Sequence, residues 1–239
     1  MPCERAANQE NGFTIIELMV TISILVILVS ILLPSLTKSR ESARRIKCTA
    51  HLRTLQQVTV DYSLHHKGNL PDLHNASGEW ADNGSTSPYW YSVVARDMLL
   101  QQYGLSRADC YCPSNQEGWN RDDFWDWPGG KSSVWGYMYF GAAEENYNRT
   151  GAWTFSEPVT DPVFSEKYAD DPHLKVVSTD LNRELGAWSW FGTNRVGSNH
   201  FNGDNPVGSN EVFADGHVEW VPWASMDVRM TDGTLLIYW

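Results

Sequence analysis

FTIIELMVTISILVILVSILL, residues 13–33, is a run of 21 residues carrying a single charge, Glu17. At 1.5 Å of rise per residue, a helix of this length extends about 31 Å, enough to cross a hydrocarbon core about 30 Å thick. A membrane-spanning helix is the predicted structure. An ordinary secretory signal has a shorter apolar region, a basic start and a small-residue cleavage site. Residues 1–12 (MPCERAANQENG) instead set Arg5 against Glu4 and Glu10, and no small-x-small site closes the run. A plain anchor leaves Glu17 without a reason, because a carboxylate in lipid costs roughly 2.5–3.5 kcal/mol at mid-membrane and less near an interface.

Gly12-Phe13-Thr14-Ile15-Ile16-Glu17-Leu18 resembles the cleavage and methylation signature of type IV prepilins and pseudopilins. The resemblance implies that a prepilin peptidase cuts after Gly12, that the new N-terminal Phe13 is methylated, and that Glu17 guides assembly with sister subunits. The freed amine of Phe13 would then lie one helical turn from Glu17, within pairing distance on the same or a neighbouring subunit. Pro34 matches a proline that kinks pilin helices, and physically it removes one backbone donor and clashes with the preceding turn. The implied fold is α+β and pilin-like, with a long N-terminal helix packed on a small antiparallel β-sheet with long loops. The implied organisation is a leader (1–12), a transmembrane and assembly helix (13–34), an amphipathic stem (35–68) and a globular domain (69–239). The implied location is the bacterial inner membrane, single-pass, with the globular domain on the periplasmic or extracellular side. Charge bias alone points the other way, since Lys38, Arg40, Arg44, Arg45, Lys47 and Arg53 follow the apolar run.

Beyond Pro34 no Gly or Pro interrupts the chain until Gly68, which predicts a continuing helix that ends there. Cys48, Leu52, Leu55, Val58, Thr59 and Tyr62 recur at three- and four-residue steps and form one mostly apolar stripe, leaving Arg45, Gln56 and Gln57 on a polar face. In this region the chain resembles a bacterial subset of pseudopilin-like proteins, through Cys48, Leu52, Leu55, Tyr62, Gly68 and Pro71. The same subset carries a Cys-Pro-Ser segment, here Cys112-Pro113-Ser114, and a C-terminal His-x9-Asp-Gly signature. Here His200 precedes Asp215-Gly216 with fourteen residues between them, a departure that an insertion in 202–209 would explain. The signature reads as structural, with no catalysis attached.

Residues 72–209 are rich in Gly, Asn, Asp, Ser and Trp, which predicts short strands and long loops. A short helix is expected within Tyr89–Tyr103, with Val93, Val94, Met98 and Leu99 near one face. Strands are expected over Val134–Phe140, Leu174–Ser178 and Leu235–Trp239. Glu211 to Val221 reads as a hairpin with a two-residue Asp215-Gly216 turn, both positions at positive φ, setting Phe213 opposite Val218 on a buried face beside Trp220.

The net charge of −11 disfavours nucleic acid as a partner, because phosphate binding rests on clustered Lys and Arg. Removal of the leader takes Cys3 and leaves Cys48, Cys110 and Cys112. Cys110 and Cys112 are too close in sequence for an unstrained mutual bond, which leaves two readings open: Cys48 paired with Cys112 or Cys110 in an oxidising compartment, or buried free thiols. Cys110-x-Cys112 with scattered histidines is a weak zinc pattern. Asn202-Gly203-Asp204-Asn205 is oxygen-rich enough to raise calcium, although ordinary turn chemistry explains it and no cofactor is expected. His65-His66 reads as surface. No nucleophile elbow, phosphate loop or His-Glu-x-x-His helix occurs, so a non-catalytic filament subunit is expected. Twelve tryptophans support either packing in a loop-rich domain or, in an alternative reading, a membrane-anchored carbohydrate-binding or adhesive module.

Overall fold

The computed structural model describes residues 14–76, 79–80, 88–115, 119–141, 154–155, 176–185, 196–202, 205–231 and 235–238. Gly12, Phe13, Leu174, Lys175, Gly203, Asp204 and Trp239 lie outside them. Helix α1 (Ile15–His65) takes in 51 residues and stays helical through Pro34. The chain divides into two units, one ending at Ala43 and the other beginning at Arg44. In the first, the large apolar side chains from Ile15 to Leu36 are between 46 % and 78 % exposed. Such a surface is stable only against lipid or other apolar helices.

In the second unit the remaining turns of α1 bury Cys48, His51, Leu52, Leu55, Gln56, Val58, Thr59 and Ser63. Gln56 therefore departs from the polar face expected for it. Its amide is buried because Nε2 donates to the Ala214 carbonyl at 3.1 Å, which offsets the desolvation. The helix stops where Lys67 adopts a positive φ of 60° and the Gly68 amide, at φ 86°, reaches back to the Ser63 carbonyl at 2.8 Å. This is a Schellman-type closure with lysine in the left-handed position.

After α1 come β1 (Asn75–Ala76), β2 (Glu79–Trp80), β3 (Trp90–Ser92), α2 (Val93–Gln102), a 3-10 turn (Arg107–Cys110), α3 (Asp122–Trp125), β4 (Ser132–Val134) and β5 (Tyr137–Tyr139). Then follow β6 (Thr154–Phe155), β7 (Val176–Asp180), β8 (Asn182–Leu185), β9 (Val196–Ser198), β10 (Phe201–Asn202), β11 (Asn205–Pro206), β12 (Gly208–Phe213), β13 (Val218–Pro222), β14 (Val228–Thr231) and β15 (Leu235–Tyr238). The strands form two larger antiparallel sheets, ordered β13-β12-β7-β5 and β6-β14-β15-β8-β9, and three two-stranded pairs. This is an α+β, pilin-like layout.

Three local expectations change. The segment 134–140 is not one strand: β4 pairs with β3 and β5 pairs with β7, so Trp135 and Gly136 carry the chain between two sheets. The helix expected in 89–103 begins only at Val93, and its buried side is Ala95, Arg96 and Leu99, with Val94 exposed. At the hairpin, Gly216 alone has a positive φ, and its amide donates to the Phe213 carbonyl at 2.9 Å. The loop is a three-residue type I turn with a glycine bulge, so Val218 faces Val212 rather than Phe213. Phe213 instead stacks on His217, with centroids 4.2 Å apart. Val212 is fully buried, while Phe213, Val218 and Trp220 are half-buried.

The core joins Leu55 and Val58 of α1 to Tyr91, Leu99, Trp135, Met138, Phe140, Val177, Met230 and Ile237. A smaller cluster gathers Cys48, Leu52, Cys112, Tyr137 and Val212. Gly208, opposite Pro222 in the β12–β13 ladder, is required by close approach. A Cβ there would collide with the Val221 carbonyl and lie 2.6 Å from the Trp220 indole. Gly208→Ala is therefore expected to cost about 1–3 kcal/mol through overpacking, read as a lower thermal midpoint.

Candidate functional site

Two places carry chemistry, one in each unit. In the first, Thr14 precedes α1 and Glu17 sits in its first turn. The Thr14 amide and hydroxyl both donate to Glu17 Oε2, at 2.9 and 2.7 Å, and the Glu17 amide donates to Thr14 Oγ1 at 3.2 Å. This reciprocal capping box satisfies helix-terminal donors that lipid would leave unpaired. The signal for Thr14 is the Thr-x-x-Glu pattern, which overlaps the cleavage signature.

In the second unit, Cys48 from α1 and Cys112 from the segment after the 3-10 turn are joined as a disulfide. Cys110 remains a buried thiol whose sulfur lies 3.5 Å from the Ser106 carbonyl. The choice between the two partners follows from backbone direction. The Cys110 carbonyl accepts from the Gly136 amide at 3.0 Å, while the Tyr111 carbonyl lies 3.1 Å from His51 Nδ1 of α1, presenting Cys112 to Cys48. Burial pushes the Cys110 thiol well up, so it is protonated and inert.

Beside the disulfide lies a buried polar centre of which sequence reading singled out only His200. Asp180 ends β7 and is fully buried. Its Oδ2 accepts from the Asn210 amide at 2.7 Å and Asn210 Nδ2 at 2.8 Å, and its Oδ1 accepts from Asn199 Nδ2 at 2.9 Å. His200 Nε2 lies 3.2 Å from Asp180 Oδ2 and 3.6 Å from Cys112 Sγ. Burial alone would raise the Asp180 carboxyl, but the neighbouring imidazole and these donors outweigh it and hold it below the ordinary carboxylate range. The Trp220 ring meets His200 edge-on at 5.3 Å, and the Arg45 guanidinium lies 4.1 Å from the Trp220 centroid. No sequence signal marks Asp180, Asn199 or Asn210, because each matters only through partners from other strands.

His200 and Asp215 do not share a site. Asp215 sits at the hairpin tip and accepts from the His217 amide at 3.0 Å. The long spacing between them is explained by β10 and β11, which pair as a small excursion whose ends meet where the Val207 amide donates to the His200 carbonyl at 3.1 Å. Removing residues 201–206 would bring the spacing close to that of the signature. Of the candidate calcium segment, Asn202 ends β10 and Asn205 begins β11, while Gly203 and Asp204 lie outside the described residues.

Glu211 on β12 is buried opposite Glu219 on β13. Burial first, then the Glu219 and Asp180 charges, push its carboxyl up to about 7, with Arg229 opposing. The folded protein thus holds this proton more tightly than the unfolded chain. Its contribution to stability is fully present below the ordinary glutamate range near pH 4.5 and is lost as pH rises toward 7. Glu211→Gln is expected to flatten the decline between about pH 4.5 and 7, worth about 3 kcal/mol, in urea titrations at several pH values.

Seven tryptophans have a described environment. Trp119, Trp125 and Trp135 are buried and Trp90, Trp127, Trp220 and Trp223 are half-buried, so among the described residues none stands exposed.

A family profile, the prokaryotic N-terminal methylation motif, matches residues 7–33. The ComG operon protein 3 homolog of Bacillus licheniformis is 32 % identical over 70 residues, which span 29 % of this chain and 72 % of that protein. The chain belongs to the type IV pilin-like family. Competence protein ComGC of Halalkalibacterium halodurans is 36 % identical over 59 residues, 25 % of this chain and 58 % of its own length. The ComGC protein of Bacillus subtilis is 27 % identical over 70 residues, 29 % of this chain and 71 % of its own. No solved structure matches. The family profile falls on the start of the N-terminal helix, and the family is one of structural, non-catalytic subunits. This pilin-like chain carries the prepilin motif, and its apolar helix is long and apolar enough to cross a membrane.

Proposed function

We propose that this protein is a structural subunit of a type IV pilus-like or type II secretion-type pseudopilus filament, processed by prepilin peptidase between Gly12 and Phe13 and methylated on Phe13. The observation that carries the reading is an apolar helix, exposed on all sides from Ile15 to Leu36, behind a methylation motif at residues 7–33. Before assembly this segment crosses the bacterial inner membrane once, with residues 44–239 on the periplasmic or extracellular side. In the filament the same helices bundle together, Pro34 bends each at the end of its apolar stretch, and Glu17 exchanges its Thr14 donors for the Phe13 amine of a neighbour. The Cys48–Cys112 disulfide ties the stem to the body, and the hairpin braces it through the Ala214 carbonyl that accepts from Gln56 Nε2.

Two of the relatives are named competence proteins, which favours the pseudopilus over the adhesive alternative. Mass spectrometry of the mature chain is the test: an N-terminus at methylated Phe13 is expected, and any other N-terminus overturns the reading.

A further inference from the structure

We infer that the disulfide pocket is also a metal site: when Cys48 and Cys112 are reduced, they join Asp180 and His200 in holding one thiophilic divalent cation, with zinc the best fit. The four residues are all buried, and their candidate ligand atoms lie within 4.8 Å of one another. A tetrahedral zinc with bonds of about 2.0 Å to nitrogen and oxygen and about 2.3 Å to sulfur holds nitrogen and oxygen about 3.3 Å apart, and nitrogen and sulfur about 3.5 Å apart. The observed separations are 3.2 Å from His200 Nε2 to Asp180 Oδ2 and 3.6 Å from His200 Nε2 to Cys112 Sγ. Both separations match edges of such a tetrahedron, with His200 Nε2 at their common corner.

The surroundings supply what a metal centre needs beyond its ligands. Asn199 Nδ2 and the Asn210 amide and Nδ2 donate to the Asp180 carboxylate, so its orientation is held independently of the imidazole. The Ser114 amide, 3.5 Å from Cys112 Sγ, is placed to donate to a thiolate. Trp220 of β13 flanks the imidazole with Arg45 of α1 stacked over its ring, and Tyr137 and Val212 form the apolar wall around the sulfurs.

The interconversion balances. A dithiol reductant delivers two electrons and two protons, the S–S bond breaks to give two thiols, and the reductant leaves as its own disulfide. The cation then displaces both thiol protons, which pass to solvent, and binds the Nε2 lone pair of neutral His200, whose one ring proton sits on Nδ1. Two thiolates and one carboxylate around a dication leave one net negative charge, which the three asparagine donors partly offset.

The test uses the full chain in detergent, reduced anaerobically with a phosphine, with Co2+ as the spectroscopic probe and Zn2+ as competitor. The expected result is one equivalent of cobalt with the visible bands of a tetrahedral thiolate site, none in the oxidised chain, and displacement by zinc. Cys110→Ser should keep the bands, and His200→Gln should weaken binding by about 100-fold or more. The near-UV dichroism of the buried tryptophans reports whether the reduced chain stays folded. A folded, reduced chain without the bands overturns the inference. So do bands that vanish in Cys110→Ser rather than in His200→Gln, and a reduced chain that unfolds and is not refolded by zinc.

Discussion

Asp180→Ala is expected to destabilise the body by about 3–5 kcal/mol, because it strands a buried imidazole and three amide donors rather than removing a matched set. The donors are the Asn210 amide, Asn210 Nδ2 and Asn199 Nδ2, all within 2.9 Å of the carboxylate. For a unit of this size each kcal/mol moves the midpoint by about 2–4 °C, so a fall of about 10 °C or more should appear in thermal melts of the full chain in detergent. Asp180→Asn keeps the shape but brings an amide donor toward the existing ones, so it should rescue only partly. A shift under about 2 °C for the alanine variant would mean that the network is not what joins β7 to β12 and the His200 segment.

Glu17→Ala is expected to remain in the membrane fraction and to lower filament yield by more than tenfold. Retention follows from the apolar run, which is more lipophilic without the acid; losing a carboxylate removes roughly 2.5–3.5 kcal/mol of insertion cost at mid-membrane. Assembly fails because the only charge in the segment, the partner for a neighbour's amine, is gone. Thr14→Val separates the two roles of the carboxylate. It deletes the hydroxyl that Glu17 holds at 2.7 Å and weakens the capping box by about 1 kcal/mol, yet leaves the acid free for the intersubunit contact. Filaments should therefore persist in Thr14→Val. Normal filament yield from Glu17→Ala would show that the acid serves only as a helix cap.

The hairpin illustrates how far reading along the chain reaches. Asp215-Gly216 between two apolar runs correctly located a reversal, since glycine alone tolerates positive φ without strain. The loop length was not legible, because a two-residue turn and a three-residue bulged turn draw on the same residues. One extra residue moved Val212 into the partnership expected for Phe213. The stem shows the same division. Leu52, Leu55 and Val58 fell on the buried face because helical periodicity is local, but Gln56 joined them because a carbonyl 158 positions away accepts from its amide. Likewise, Cys48 was a bonding candidate from composition, yet the preference for Cys112 over Cys110 rests on which backbone groups α1 and Gly136 capture.

What the sequence by itself determined is the apolar N-terminal helix. Residues 13–33, with Glu17 behind Gly12-Phe13, announce both a membrane-length helix and the pilin-like family, because length, hydropathy and a contiguous motif need no distant partner. What only the tertiary structure decided is the buried centre formed by Cys48, Cys112, Asp180 and His200, drawn from four separate segments. Those side chains meet because β7 lies between β5 and β12 with the stem helix beside them. A polar group is tolerated in such a place only when strands remote in sequence bring the donors that replace water.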